Sequence, residues 1–266
     1  MDDLSLRTTF DREAERYGRA RPAPPITLLN AMLKHLPPDA HILEVGCGTG
    51  QATLPLAQAR LQVYALELGP ALAEHARINL SGYPNVTVET IAFEDFRTDT
   101  RFDALMSVQA FHWIAPETGL MHAASLLRPG GALLLAWHQD RTEDTPFNRA
   151  ADTVYNRYES PLELNRPTPS SSPARFIGTL EDSPLFGDLH VSRYPWRKVY
   201  GKERYLELLL THSNVQAMKL PVQEHFLAEI AEVIDRHWGR VERFYESVLV
   251  SARREHGIGA SIPSPQ

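Results

Sequence analysis

One cysteine, Cys47, occurs in the 266 residues. The chain therefore cannot close a disulfide on itself, and the count fits a reducing compartment. No stretch reaches the roughly 18 consecutive apolar residues that a membrane helix needs. Basic charge is not in excess: 27 Lys and Arg face 33 Asp and Glu, for a net charge of −6. That balance lacks the clustered cationic footprint of a nucleic-acid-binding protein. Eleven histidines are present, but no H-x-x-x-H, C-x-x-C or facial-triad spacing joins them, so no metal is expected. Internal repeats are absent. The opening "MDDLSLRTTF" carries two acids and no apolar h-region, which predicts no signal peptide and a cytoplasmic location.

The chain does have enough material for a core. Hydrophobic residues make up 43% of it and charged residues 23%, as in ordinary globular proteins. The length suits one large domain, or one domain with an insertion. From residue 26 a rhythm sets in. "ITLLNAMLKHL" (26–36) has helical spacing, "AHILEVG" (40–46) is a short apolar strand and "QATLPLAQA" (51–59) a helix. Next come a strand at 61–68, a helix at 70–80, strands at 85–91 and 101–109, a helix at 116–127 and a strand at 130–138. Such alternation predicts an α/β fold with a parallel sheet and helices on both faces. The strands are apolar almost throughout, as strands buried on both faces are.

Beyond 138 the rhythm changes. "RTEDTPFNRAADTVYNRYES" reads as a cap followed by an amphipathic helix, and "PLELNRPTPSSSP" (161–173) as a Pro- and Ser-rich loop or lid. "DLHVSRYPWRKVYG" (188–201) alternates like a strand. "KERYLELLLTHSNVQAM" and "PVQEHFLAEIAEVIDRHWG" are predicted as two helices, and "RVERFYESVLVSARR" (240–254) as a long strand.

The segment "ILEVGCGTGQ" (42–51) carries the chemistry. Gly46, Gly48 and Gly50 follow a strand and open a helix, so a ligand can lie against bare backbone there. The dinucleotide fingerprint G-x-G-x-x-G/A would need Gly or Ala at 51, where Gln51 stands. No Lys-Ser/Thr pair follows, which excludes a P-loop. Glu67 lies 67 − 46 = 21 positions after the first glycine, close to the roughly 20 of a carboxylate that accepts from a ribose. The ligand expected is one with a ribose and no pyrophosphate.

Taken together, "HILEVGCGTG", "VYALEL" and "LLRPGGALLLAWH" resemble a class I S-adenosylmethionine-dependent methyltransferase. Over roughly residues 10–255, "FDREAERYGRARP", "SVQAFHW", "YPWRKVY" and "VLVSARR" are similar to one bacterial small-molecule branch of that family. The trans-aconitate methyltransferases are a more distant comparison. The resemblance implies a Rossmann-like, seven-stranded, mostly parallel sheet whose last strand is antiparallel, plus a helical cap inserted between strands six and seven. It implies S-adenosylmethionine as cofactor, S-adenosylhomocysteine as product, and a small-molecule acceptor as partner.

Residue by residue, the resemblance puts Glu44 at the methionine end. It runs Gly46, Cys47, Gly48, Thr49 and Gly50 beneath the cofactor, holds the ribose on Glu67 and packs Leu68 on the adenine. Phe93 would flank the adenine ring and Glu94 would approach its amino group, with Ala92 where the family often has an acid. Ser107 and Gln109 would lie near the methyl donor, and Tyr17 and Arg21 would reach in from an N-terminal lid.

At the strand ends, His112 is a candidate general base, a substrate-orienting group or a packing residue. Trp113 and His138 are candidates for substrate contact. Cys47, between two glycines and with no identifiable partner histidine, reads as a small spacer rather than a nucleophile. The expected layout is a single domain spanning 1–266. Its parts are a lid (1–25), a cofactor-binding core (26–138), cap insertions (139–200 and 201–239) and a final strand (240–254). The expected assembly is a monomer or dimer, with no nucleic-acid or membrane partner. Three other readings stay open: a non-catalytic S-adenosylmethionine-binding protein on the same fold, a methyltransferase acting on a macromolecule, and an NAD-dependent oxidoreductase. Gln51 and the antiparallel-looking final strand count against the last.

Overall fold

The computed structural model describes residues 22–141, 143–158 and 173–256. Tyr17, Arg21, nearly all of the proposed lid and all of the 161–173 loop except Pro173 lie outside the described residues. The first half alternates as its hydrophobic periods require. Helix α1 (Ile26–Leu33) precedes β1 (His41–Val45), α2 (Thr53–Gln58), β2 (Gln62–Glu67), α3 (Pro70–Asn79) and β3 (Val86–Thr90). Then follow β4 (Phe102–Val108), α4 (Pro116–Leu126) and β5 (Leu127–Arg141). Two single turns of 3-10 helix, Phe93–Asp95 and Phe111–Trp113, sit after β3 and β4. Proline occupies the first turn of α3 and α4, where its missing N–H leaves no bond unmade.

The second half is built from α5 (Pro146–Arg157), α6 (Pro173–Glu181), β6 (Phe186–Gly201), α7 (Lys202–Leu210), α8 (Ser213–Gln216), α9 (Leu220–Arg236) and β7 (Arg240–Arg254). Thr145 caps α5 by accepting from the Asn148 amide at 3.1 Å. The stretch predicted as one helix from Lys202 is two. It breaks where the Thr211 hydroxyl turns back onto the Leu208 carbonyl at 2.7 Å, the kind of local side-chain bond that competes with helix continuation.

All seven strands form one sheet in the order β3-β2-β1-β4-β5-β7-β6. The first five pair in parallel, and β7 runs antiparallel to both β5 and β6. The expected seven-stranded sheet with an antiparallel last strand is therefore present. Residues 186–201, counted above within the 139–200 cap segment, belong to the sheet instead, as its edge strand β6. Their alternating burial has one face against the protein and the other exposed.

Alternate residues of the central strands feed two cores. Leu43, Leu105, Leu133, Leu135 and Val250 pack under α4 and α6. Ile42, Ala65, Met106, Leu134 and Leu249 pack under α1, α2 and α3. A third core of Phe147, Tyr155, Tyr205, Phe226, Ile230 and Tyr245 joins α5, α7 and α9 to the upper ends of β6 and β7. Length explains its position. β1 has 5 residues, whereas β5, β6 and β7 have 15, 16 and 15. These three strands outrun the parallel sheet at its carboxyl edge, and the helices between β6 and β7 close over the extension.

Candidate functional site

In an open α/β sheet, ligands bind outside the carboxyl ends of the strands. Here that edge gathers the β1–α2 glycine loop, the β2 tip, the turn after β4 and the extension of β5. Gly46 takes φ +72°, and a Cβ built on it would lie 2.2 Å from the Ala110 Cβ. Close packing of the loop on the β4 turn thus requires glycine at that position. At Gly48, φ is +59° and a Cβ would meet only the Gln51 Oε1, at 3.6 Å. Its missing side chain leaves space above the loop that a ligand can fill.

The loop's amides bond inward. Those of Gly46 and Cys47 donate to the Leu66 carbonyl at 2.9 and 3.1 Å, and that of Gly50 to the Cys47 carbonyl at 2.9 Å. The Gly48 amide donates to Glu67 Oε2 at 2.8 Å and the Gly69 amide to Glu67 Oε1 at 2.9 Å. Glu67 is buried and oriented by these two donors. A carboxylate oxygen can accept more than one hydrogen bond, the capacity that recognition of a vicinal diol uses. The amides used inward cannot serve a pyrophosphate.

Glu44 is 2% exposed, and its Oε2 has no hydrogen-bond partner among the described residues. Burial pushes its carboxyl up to about 7. The Glu67 carboxylate adds to the rise and the nearby Thr53 hydroxyl opposes it. A buried carboxyl with an open oxygen is suited to a cationic group that is itself withdrawn from water. Thr49 is buried, and its carbonyl is held by the Asn79 amide at 2.9 Å. Burial also drives the Cys47 thiol well above its ordinary range, which suits a spacer and not a nucleophile. Leu68 is half-buried just beyond β2, and Glu94 half-buried beside the 3-10 turn.

Three further positions named by the resemblance make contacts within the protein. The Phe93 ring packs inward, 5.7 Å from the Phe111 ring and 4.7 Å from the His122 ring. At 3% exposure it builds the floor rather than offering a free face. The Ser107 hydroxyl donates to the Val45 carbonyl at 2.8 Å; it ties β4 to β1 and has no donor left for a ligand. Gln109, at φ +62°, turns its amide onto the β5 backbone. Its Nε2 donates to the His138 carbonyl at 3.2 Å, and its Oε1 accepts from the His138 amide at 2.9 Å. The side chain continues the sheet one step past β4, and so fixes His138.

The His112 and Trp113 rings lie 4.9 Å apart, tilted by 40°, on the 3-10 turn after β4. His138 stands across from them on β5. Its Nδ1 lies 2.8 Å from the Ser247 Oγ, and the Trp196 Nε1 donates to that same oxygen at 2.8 Å. Burial pulls His138 down to about 4, so the ring is neutral. Ser247 and Trp196 escaped the sequence reading, because their meeting depends on the antiparallel register that sets Ser247 opposite both His138 and Tyr194. Above them, the buried Arg243 donates to Asp140 at 2.9 Å and to the Tyr205 hydroxyl at 3.3 Å. Among the described residues, no group of three or more His, Cys, Asp or Glu could hold a metal ion. No helix among them is long and apolar enough to cross a membrane.

Comparison with known proteins agrees with this geometry. The family model of a methyltransferase domain matches residues 42–131. An uncharacterised methyltransferase of Mycobacterium tuberculosis is 31% identical over 161 residues, 60% of this chain and 63% of the relative. The chain thus spans less than two thirds of that relative's length. A methyltransferase-like protein of Schizosaccharomyces pombe, also uncharacterised, is 26% identical over 258 residues, covering 93% and 96% of the two chains. Among solved structures, one from Anaeromyxobacter dehalogenans, provisionally assigned as a type II methyltransferase, superposes with a TM-score of 0.63 at 25% identity. It covers 89% of this chain and 99% of its own. The phosphoethanolamine N-methyltransferase 2 of Haemonchus contortus, solved with S-adenosylhomocysteine, shares the fold at a TM-score of 0.59 and 13% identity, over 96% of this chain and 60% of its own.

Proposed function

We propose that the chain, whose residues 42–131 match a methyltransferase domain, is a class I S-adenosylmethionine-dependent methyltransferase that transfers the methyl group of S-adenosylmethionine to a small-molecule acceptor. The observation that carries the reading is the pair of buried carboxyls flanking the glycine loop. Glu44 has an oxygen without a hydrogen-bond partner among the described residues, and Glu67 is oriented by two backbone amides. Such a pair suits a ligand with an ammonium at one end and a ribose diol at the other. A dinucleotide would instead require the amides that the loop uses on itself.

Glu44 would hold the ammonium, Glu67 the ribose hydroxyls, and the open side of Gly48 the body of the cofactor. Leu68 would cover one adenine face and Glu94 lie near its edge, while Phe93 supports that pocket from below. When bound, the cofactor supplies a methyl group on a sulfonium that is its own leaving group. The protein's task is then positioning and exclusion of water. His112 and Trp113 are assigned to the acceptor side, with His112 the candidate to take a proton from acceptors that must lose one. The segment 26–138 would serve as the cofactor core, and the helices between β6 and β7 as the acceptor cap. An acidic chain with no basic cluster favours a small acceptor over nucleic acid.

Methyl-labelled S-adenosylmethionine incubated with the protein and a fractionated cell extract tests the reading. The label is expected in the low-molecular-mass fraction, and Glu67→Ala should abolish it. Label in the protein or nucleic-acid fraction would overturn the acceptor class. Cofactor binding without label in any fraction would favour a non-catalytic binding protein.

A further inference from the structure

We propose that His138 is a hydrogen-bond donor to the methyl acceptor, locked in its neutral Nε2–H form by Trp196 through Ser247, and that the acceptor presents a carbonyl or carboxylate oxygen to it. The role rests on the methyltransferase reading above; the tautomer does not.

The Trp196 indole can only donate, and it donates to the Ser247 Oγ at 2.8 Å. Ser247 is 0% exposed, so its own hydroxyl proton must find an acceptor inside the protein. Among the described residues the acceptor within reach is the His138 Nδ1, at 2.8 Å. If the His138 Nδ1 carried the proton instead, two donors would point at one oxygen and the serine proton would be stranded. A buried unpaired hydroxyl costs about 1–3 kcal/mol. The satisfied arrangement runs Trp196 to Ser247 to His138 Nδ1, which leaves the proton of the neutral ring on Nε2.

That nitrogen is buried and has no partner among the described residues. A donor left open in a folded protein calls for an explanation, and its surroundings supply one. The backbone of His138 is clamped by Gln109, and its ring meets the Trp196 ring edge-on at 5.5 Å. Along β5 it follows Leu134 and Ala136 on the face that carries Glu44, since β1, β4 and β5 pair in register. It therefore stands beyond the cofactor residues and below the cap. The charged groups nearest along this face are Asp140 on the same strand and Arg243 on β7, and they are bonded to each other. Among the described residues no carboxylate is bonded to the ring to make it an imidazolium.

The consequence is a division of roles. In this form the His138 Nε2 cannot accept a proton, so it is not a general base. It orients the acceptor by binding an oxygen next to the atom that receives the methyl group.

The test is long-range proton–nitrogen NMR on protein labelled in the histidine rings, with and without S-adenosylhomocysteine. At pH 7 the expected His138 signals are an unprotonated Nδ1 and a protonated Nε2. In Ser247→Ala, which keeps the packing nearly intact and removes the hydroxyl proton that Nδ1 accepts, the Nδ1–H form should appear. Formate, the smallest oxygen acceptor, should give a saturable shift of the Nε2–H resonance in the S-adenosylhomocysteine-bound protein. A protonated Nδ1 or an imidazolium in the unsubstituted protein would overturn the proposal, as would the absence of any formate-dependent shift. Failure to bind S-adenosylhomocysteine with the tautomer intact would overturn the methyltransferase reading instead.

Discussion

Glu44 destabilises the chain that carries it. Its carboxyl is pushed from 4.5 to about 7 by burial, so the folded state favours the protonated form. That contribution to stability is complete below about pH 4.5 and is lost as pH rises through about 7. At pH 8 the ionised group should cost about 3 kcal/mol. Urea unfolding of the ligand-free protein should show stability falling over this window, and Glu44→Gln should remove the fall. S-adenosylhomocysteine should show the opposite dependence, binding more tightly as pH rises from 6 to 8, because its ammonium pairs with the ionised form. A flat binding profile would take Glu44 out of the cofactor site.

The two glycines beside it separate folding from binding. Gly46→Ala drives a methyl group into Ala110 and should lower stability by about 2 kcal/mol or more. Gly48→Ala has room, so it should lose only about 1 kcal/mol of stability from its backbone strain. Its methyl would enter the cofactor's space, so calorimetry should find binding of S-adenosylhomocysteine reduced at least tenfold. At this scale the strand-to-helix motif in the sequence pointed to Gly46, Gly48, Glu44 and Glu67, which the structure gathers around the β1–α2 loop. The sequence did not reveal the internal contacts of Ser107 and Gln109 near the end of β4 or of Phe93 on the turn after β3. Their side chains are taken by neighbours distant in sequence: Val45, His138 and Phe111.

Among the elements, β5 shows how a single side chain extends a strand. Gln109 replaces the backbone partner that β4 no longer offers, at the cost of a left-handed backbone conformation. Gln109→Gly relieves that strain and removes both bonds, so it isolates them. The variant should be destabilised by about 1–2 kcal/mol in urea, and hydrogen exchange at the His138 amide should quicken. An unchanged exchange rate would mean that the strand extension stands without the clamp. The parallel half of the sheet was legible because each strand there is a short, doubly buried apolar run between helical periods. The length of β5 was not. Its extension past His138 reads Gln139, Asp140, Arg141, a polar run whose strand form depends on pairing with Phe244, Tyr245 and Glu246 far along the chain.

On the scale of the molecule, that extension joins a cofactor edge to a helical cap. The Asp140–Arg243 pair sits at the junction with side chains 16% and 10% exposed. Asp140→Ala would leave a buried guanidinium without its carboxylate and should cost about 3–5 kcal/mol. Asp140→Asn should cost less, because it keeps a hydrogen-bond acceptor. Thermal unfolding of the two variants checks the order.

The two carboxyls and the glycine loop at this edge are proposed to hold a sulfonium nucleoside. Calorimetry on the purified protein with S-adenosylmethionine, S-adenosylhomocysteine and NAD tests it most directly. Micromolar binding of both sulfur compounds, about −8 kcal/mol, with none of NAD is the predicted result. Binding of NAD, or of neither sulfur compound, would contradict the account.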